Sequence, residues 1–354
     1  ITVKKGSFDK DFSAVIKRSR DVASTMSKGV QFLMKKNKID VIMGYGTLKP
    51  GKKVDVKDKD GKVTEYSADH IIIATGARSR ELPALPQDGK KIIGYRQALT
   101  LAEQPKKMII VGSGAIGIEF AYFYHSMGTE VTVVEFMPNI VPVEDEEISK
   151  QLEKSFKKLG INVMTSSEVT KVDTSGKGVK AYVKTAKGEE VLEADILLSA
   201  VGIKTNIENI GLEAVGIKTE RDKIQVNEFY QTNVPGYYAI GDVVYGNVQL
   251  AHVASAQAIH VVEKLMGEHP EINLNVVPAC TFTLPEVAQV GLTEEEVIAQ
   301  NIPYVKSKFM FSGNGKAVSL GEADGFVKVL ATEDLKRILG IHIIGPHAND
   351  LIHE

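Results

Sequence analysis

Residues 108–135 read MIIVGSGAIGIEFAYFYHSMGTEVTVVE. An apolar run reaches Gly112, and Gly112, Gly114 and Gly117 then fit G-x-G-x-x-G. A helical stretch over 115–127 follows, and a second strand, EVTVVE, ends on Glu135. Each glycine has a physical task in such a unit. The first permits the tight turn, the second lets backbone amides approach a pyrophosphate, and the third lets helix and strand pack closely. The helix then directs its N-terminal partial charge at the phosphates. Glu135 follows Gly117 by eighteen residues. A carboxylate there accepts both ribose hydroxyls of an adenosine and repels a 2′-phosphate, which favours NAD over NADP. A glycine-rich turn that binds nothing is the plainer alternative. Strand, turn, helix, strand and acid are all in register, however, so a dinucleotide site is expected. Spacing alone leaves Glu119 more readily on a solvated helix face than at the nicotinamide end of a cofactor.

Outward from this unit the alternation continues. A charged amphipathic helix is expected over 144–159 and a strand at INVMTSS. A β-meander spans 170–194, and DILLSAVG (195–202) forms a last strand. This is a parallel α/β unit with a β excursion. Upstream, Phe8, Phe12, Val15, Ile16, Val22, Met26, Val30, Phe32 and Leu33 recur at roughly helical spacing, which predicts one long helix over 8–37. Short strands follow, and the wholly apolar Ile71–Ile72–Ile73 reads as a strand buried on both faces. Downstream, YYAIGD (237–242) ends another strand and 250–266 reads as a helix. From about 276 the pattern becomes that of a separate α+β domain.

Composition bounds the function. The 354 residues exceed one ordinary core, so two or three domains are expected. A net charge of −2 offers no basic stripe for nucleic acid. No apolar run approaches the roughly 18 residues of a membrane span, and no signal-peptide pattern follows Ile1. The single cysteine, Cys280, can form no intrachain disulfide and has no partners at zinc-site spacing. That suits a reducing compartment, the cytoplasm or a mitochondrial matrix.

Two further strand ends carry small or acidic residues: Ala74–Thr75–Gly76 after HIII, and Gly241–Asp242 after YYAI. Ligands of open α/β sheets gather at such ends, although an ordinary turn and a helix cap are the alternatives. The order ATG, G-x-G-x-x-G…E, A-x-G-D and QLAHVASAQAI resembles the two-dinucleotide flavoprotein disulfide reductases, and among them the dihydrolipoyl dehydrogenase group most. The likeness includes FMPNIVPVEDEEISKQLEK, LSAVGIKTNIENIGLEAVGI, QTNVPGYYAIGDV, LPEVAQVGLTE and GFVKVLA.

The resemblance implies FAD and NAD as cofactors, two Rossmann-like domains with the FAD domain incomplete, and a partial α+β dimerisation domain. Its boundaries would be 1–104 and 229–272 for FAD, 105–228 for NAD and 273–354 for the interface. Gly46 would lie against the FAD adenosine. Thr75, Gly76 and Ala77 would bind the same cofactor, the first two at its pyrophosphate, and Asp242 would hold the ribityl hydroxyls. Gln249, Leu250, Ala251 and His252 would open a helix aimed at the flavin pyrimidine ring. Reduced flavin carries negative charge there, which a helix N-terminus stabilises. Gly112, Gly114, Ala115, Ile116, Gly117, Glu119, Glu135, Val169 and Gly202 would form the NAD site, Val169 and Gly202 through backbone. In the family Glu119 pairs with a lysine beside the flavin. A homodimer is implied, as is a lipoyl-bearing E2 acyltransferase of the 2-oxo-acid dehydrogenase complexes.

Other family parts have no counterpart here. These are the N-terminal G-x-G-x-x-G of the FAD domain, the C-x-x-x-x-C redox pair, the lysine that pairs with Glu119, and the C-terminal H-P-x-x-x-E segment. The sequence therefore reads as cut at both ends, with no catalytic residue of its own. His353–Glu354 lacks the following proline, and Cys280 reads as a small buried residue rather than a redox thiol. In AVGIKTN (200–206), where many relatives carry Arg-Arg-Pro, Lys204 is the one cation. Two other readings stand beside this one: a mercuric or glutathione reductase type, against whose NADP-linked members Glu135 argues, and a dinucleotide-binding or oligomerisation module without redox chemistry. These 354 residues by themselves are expected to form no NADH from dihydrolipoamide and NAD+. An absorbance assay for NADH with the purified chain checks this, and lipoamide-dependent NADH formation would refute it.

Overall fold

Five parallel strands carry the glycine turn. Their order is Ile92–Ile93, Ile196–Ser199, Lys107–Val111, Glu130–Val134 and Asn162–Met164. The computed structural model describes residues 9–274 and 276–354; Phe8, at the expected start of the first helix, lies outside them. Contacts divide the chain into two units. One contains the chain up to Val22, Ser79–Gly202 and Val276–Glu354, the other Ala23–Arg78 and the segment from Ile203.

In the first unit, helix Ala115–Met127 follows the central strand and helix Glu146–Leu159 follows its neighbour. The second helix shows why the sequence folds this way. Asp145 caps it by accepting the Glu147 N–H at 3.0 Å, acids fill its first turn, lysines its last, and Gly160 ends it at φ 98°. Ile148, Leu152 and Phe156, four residues apart, are fully buried on one face. A three-stranded antiparallel meander, Glu168–Asp173, Val179–Thr185 and Gly188–Ala194, forms the β excursion. Residues 276–354 form a five-stranded antiparallel sheet, ordered Ala279–Thr281, Glu286–Gly291, Ile338–Gly345, Phe326–Thr332, Tyr304–Met310. Val287, Phe326 and Ile344 of this sheet join the same core as Ile110, Ile118, Val133 and Phe156.

Charge joins these parts as well. Lys328, 1% exposed, donates to both oxygens of the fully buried Asp145 at 2.9 and 2.8 Å and to Glu294 at 2.6 Å. Glu147 lies 3.1 Å away. Lys306 and Tyr304 also donate to Glu294. Burial alone would raise the Glu294 carboxyl, but the bonds from Lys306, Lys328 and Tyr304 hold it down to about 2.

In the second unit, strands Tyr45–Lys49, Lys53–Lys57 and Val63–Ser67 form an antiparallel sheet. Ile71–Ile73 pairs in parallel with Tyr237–Ala239. Leu48, Ile73, Tyr237 and Ala239 share a core with Ile210, Leu212, Ile217 and Ile224. The stretch 203–228, assigned from sequence to the NAD domain, thus supplies apolar side chains to this core.

One helix is largely uncovered, and one expectation about burial changes. The long helix is present as Phe12–Lys36, yet only Phe12 on it is buried, and Val22, Met26, Val30, Phe32 and Leu33 are exposed. Helical spacing reports periodicity and not what covers the face. Of the three isoleucines only Ile73 is buried and Ile72 is exposed. Among the described residues this strand has one partner, so both of its faces are not covered.

Glu144 supplies a test of the first unit. Burial, reinforced by the neighbouring Asp145 charge, pushes its carboxyl up to about 8 from 4.5. Between those values the folded chain holds a proton that the unfolded chain releases, so this group's contribution to stability falls as pH rises. Denaturant melts at pH 5 and pH 8 should show Glu144→Gln gaining on the wild type as pH rises; parallel pH dependences would refute it.

Candidate functional site

The three glycines at the end of strand Lys107–Val111 are constrained in different ways. Gly112 has φ 97°, and a Cβ on it would come within 2.4 Å of the Ala200 carbonyl. A Cβ on Gly117 would stand 2.0 Å from the Gly112 carbonyl oxygen. Both positions are closed to any side chain by the protein's own backbone. Gly114 has nothing within 4 Å of its Cβ position, so its lack of a side chain leaves open space rather than relieving a clash. It is the N-cap of helix Ala115–Met127, with no side-chain cap and no acid in the first turn. The helix therefore presents first-turn amides without a side-chain cap beside open space, which fits a phosphate. Ala115 is exposed and Ile116 half-buried at this rim.

Glu135 is 6% exposed. Its Oε2 accepts the Ser113 N–H at 2.7 Å and the Ser113 hydroxyl at 2.6 Å, and its Oε1 accepts the Met137 N–H at 2.7 Å. A carboxylate has about four acceptor positions, so in this conformation one remains for a ribose hydroxyl. A second ribose bond requires the Ser113 hydroxyl to turn away. Ser113 was invisible to motif reading because its position in G-x-G accepts any residue.

Glu119 does not lie on a freely solvated face. It is half-buried, and its Oε1 accepts the Phe282 N–H at 2.9 Å. It borders an apolar cavity of about 550 Å³ with Val15, Leu99, Phe123, Met127 and Phe282. Burial pushes its carboxyl up, with the Phe282 N–H opposing. Val169 turns its side chain into the core beside a register shift in the meander, and Gly202 is exposed at φ 103° with open space at its Cβ position. Val169 is paired with Val183 in the meander, and the Gly202 carbonyl accepts the Arg80 N–H at 3.0 Å.

In the second unit Gly46 and Thr75 line one cleft of about 690 Å³, with Tyr45, Arg78 and Asn206. Gly76, at φ 66°, accepts the Asn206 N–H through its carbonyl, and the Thr75 carbonyl accepts from the Asn206 side chain. Ala77, half-buried, leads into Arg78. The Arg78 guanidinium donates twice to Glu208, at 3.0 and 2.8 Å, and once to the Asn206 amide oxygen. With Lys204, 2.7 Å from the same carboxylate, it holds Glu208 down to about 2. Motif reading does not find these residues because Arg78 meets Asn206 and Glu208 only across 128 and 130 residues of chain. Asp242 lies in the Gly241–Val243 turn, and its carbonyl accepts from Gln249. The turn is pinned by the fully buried Gln257, which accepts the Gly241 N–H at 2.7 Å. Leu250 is the N-cap of helix Ala251–Leu265 without a side-chain cap, and Ala251 and His252 are exposed at its start.

Cys280 is half-buried and packs with the apolar cluster around Ala288 and Ile343. Burial raises its thiol, with Glu144, Glu286 and Asp350 adding to the effect, the opposite of an activated thiolate. Among the described residues no group of His, Cys, Asp and Glu could hold a metal ion, and no helix is long and apolar enough to cross a membrane.

A glycine turn with its acid, a second strand-end cluster and a terminal antiparallel sheet define a class. The chain belongs to the pyridine nucleotide-disulphide oxidoreductases: residues 3–258 match that family's model and 277–354 match its dimerisation domain. Among its relatives within the family are dihydrolipoyl dehydrogenases. It is 45% identical to that of Rhizobium etli, over 99% of this chain and 76% of the relative, and 41% identical to a mitochondrial one of Arabidopsis thaliana, over 99% and 70%. A leghemoglobin reductase of Vigna unguiculata is 40% identical over 99% and 68%. The crystal structure of LpdA from Mycobacterium tuberculosis superposes with a TM-score of 0.90 at 29% identity, covering 99% of this chain and 77% of that one. A HOCl-induced flavoprotein disulfide reductase of Escherichia coli shares the fold, with a TM-score of 0.86 at 23% identity over 97% and 78%.

The contrast among the glycines gives a paired test. Gly117→Ala should cost about 1–3 kcal/mol of stability through overpacking, whereas Gly114→Ala should leave the melting temperature nearly unchanged and weaken NADH binding. Thermal melts and calorimetry on both variants check this; a Gly114→Ala variant with wild-type NADH affinity would refute it.

Proposed function

We propose that the chain serves a dihydrolipoyl dehydrogenase, in which electrons from a dithiol pass through FAD to NAD+. The observation that carries the coenzyme half is the Gly112–Gly117 turn with Glu135 held against it. The helix amides from Gly114 to Gly117 take the pyrophosphate, while Glu135 accepts a ribose hydroxyl and repels a 2′-phosphate. Val169 and Gly202 meet the nucleotide through backbone. Glu119 would border the nicotinamide end of the coenzyme, half-buried and accepting the Phe282 N–H. For FAD, Gly46 and Thr75 line the cleft that would take the nucleotide end, with Gly76 and Ala77 following Thr75 in the chain; Asp242 would accept from the ribityl chain, and Gln249–His252 would present a helix N-terminus to the ring. Bound FAD supplies the two-electron relay; the chain's own residues bind, orient and shield.

The dimerisation-domain match supports a homodimer. The activity of the relatives points to a lipoyl-bearing E2 acyltransferase as partner, in the bacterial cytoplasm or a mitochondrial matrix. Calorimetric titration should show NADH binding with NADPH at least tenfold weaker. Two like charges about 4 Å apart repel by about 1–4 kcal/mol at surface dielectrics, and a factor of ten requires about 1.4 kcal/mol. Glu135→Gln should narrow the gap between the coenzymes. Equal binding of the two by the wild type would overturn the assignment.

A further inference from the structure

The buried ion cluster lies at the far end of the segment that leaves the coenzyme acid. Directly after Glu135, residues 136–145 run to the N-cap of helix Glu146–Leu159. The segment folds back on the glycine turn: the Val141 N–H donates to the Ser113 carbonyl at 3.0 Å. Ser113 in turn donates its N–H and hydroxyl to Glu135. Val141 is 1% exposed and has φ 40°, a conformation that β-branched residues avoid. Its surroundings therefore hold it there: the Val141 carbonyl accepts the Glu144 N–H at 2.9 Å and the Ser149 hydroxyl at 3.4 Å. The segment ends on Asp145, which is 0% exposed. Lys328 holds both oxygens of that carboxylate, and Asp145 Oδ2 also accepts the Glu294 N–H at 3.2 Å.

We propose that Lys328, from the terminal antiparallel sheet, is a positioning residue for the coenzyme turn: by fixing Asp145 it fixes the 136–145 segment, and through Val141 and Ser113 it sets the aim of Glu135. The inference rests on NAD binding at Gly112–Gly117 as proposed above. It assigns the terminal sheet a part in coenzyme selection besides assembly. Lys328 touches no coenzyme. Its effect on the coenzyme is exerted through where the acid and the turn stand relative to each other.

The test uses the full chain with Lys328→Met, Lys328→Arg and Asp145→Asn. NADH and NADPH affinities are measured by calorimetry well below each variant's melting temperature, with the folded fraction checked by circular dichroism. Lys328→Met should weaken NADH binding about tenfold and change NADPH binding less, so that the preference for NADH shrinks; Lys328→Arg, which keeps the charge, should restore most of it. Should Lys328→Met fail to fold, Asp145→Asn decides, because asparagine caps a helix as well as aspartate does while removing the charge that Lys328 holds. A folded variant with a lower melting temperature but wild-type NADH affinity and coenzyme preference would overturn the inference and leave the coenzyme site standing. A wild-type chain that binds no NADH would overturn both.

Discussion

A lysine ammonium enclosed by three carboxylates holds the first unit in register. Lys328 reaches Asp145, Glu147 and Glu294 from a strand 183 residues beyond the first of them. Buried pairs of this kind contribute little net stability compared with an apolar substitute, but removing one partner costs about 3–5 kcal/mol because a charge is left stranded. The cluster is therefore best seen as a specifier. It permits one placement of the terminal sheet on helix Glu146–Leu159, and the apolar contacts of Val287, Phe326 and Ile344 are made in that placement. The N-cap of the helix, the segment behind it and the glycine turn all inherit their positions from it.

The proposed coenzyme site divides its work between steric and electrostatic parts. Gly112 and Gly117 exist because the protein's own backbone occupies the places of their side chains. Gly114 has open space at its Cβ position instead, as the proposed approach of a phosphate requires. Glu135 provides the negative charge, yet most of its acceptor capacity is already used by the turn it helps to build. In the proposed role, selection of a coenzyme and integrity of the loop would both rest on this one carboxylate.

Much of this was legible in the sequence wherever the information is local. The 115–127 helix, the two flanking strands, the 144–159 helix and the meander follow from periodicity and caps within short windows, and the structure has them within a few residues. What could not be read depends on contacts between distant segments. Helix Phe12–Lys36 has an apolar repeat, but exposure of its later turns is a matter of what lies against them. Glu119 reads as a surface acid until Phe282 arrives from far along the chain. Residues 203–228 continue the α/β rhythm without announcing that Ile210, Leu212, Ile217 and Ile224 belong to another core. Arg78 with Glu208, and Lys328 with Asp145, are single charged residues with no spacing to distinguish them from the solvated charges around them.

Strand Tyr304–Met310 has Phe326–Thr332 as its one strand partner among the described residues, so its other side offers unpaired backbone to any extended chain. It also exposes Val305, Phe309 and Met310, a composition that invites strand addition and aggregation. Lys306 and Lys308 interrupt that pattern, and each is tied to a carboxylate, Lys306 to Glu294 and Lys308 to Glu147. Those ties fix where the two positive charges stand along an otherwise adhesive border. The cluster that seats the terminal sheet thereby also guards it, and loosening the cluster would be expected to show first as self-association.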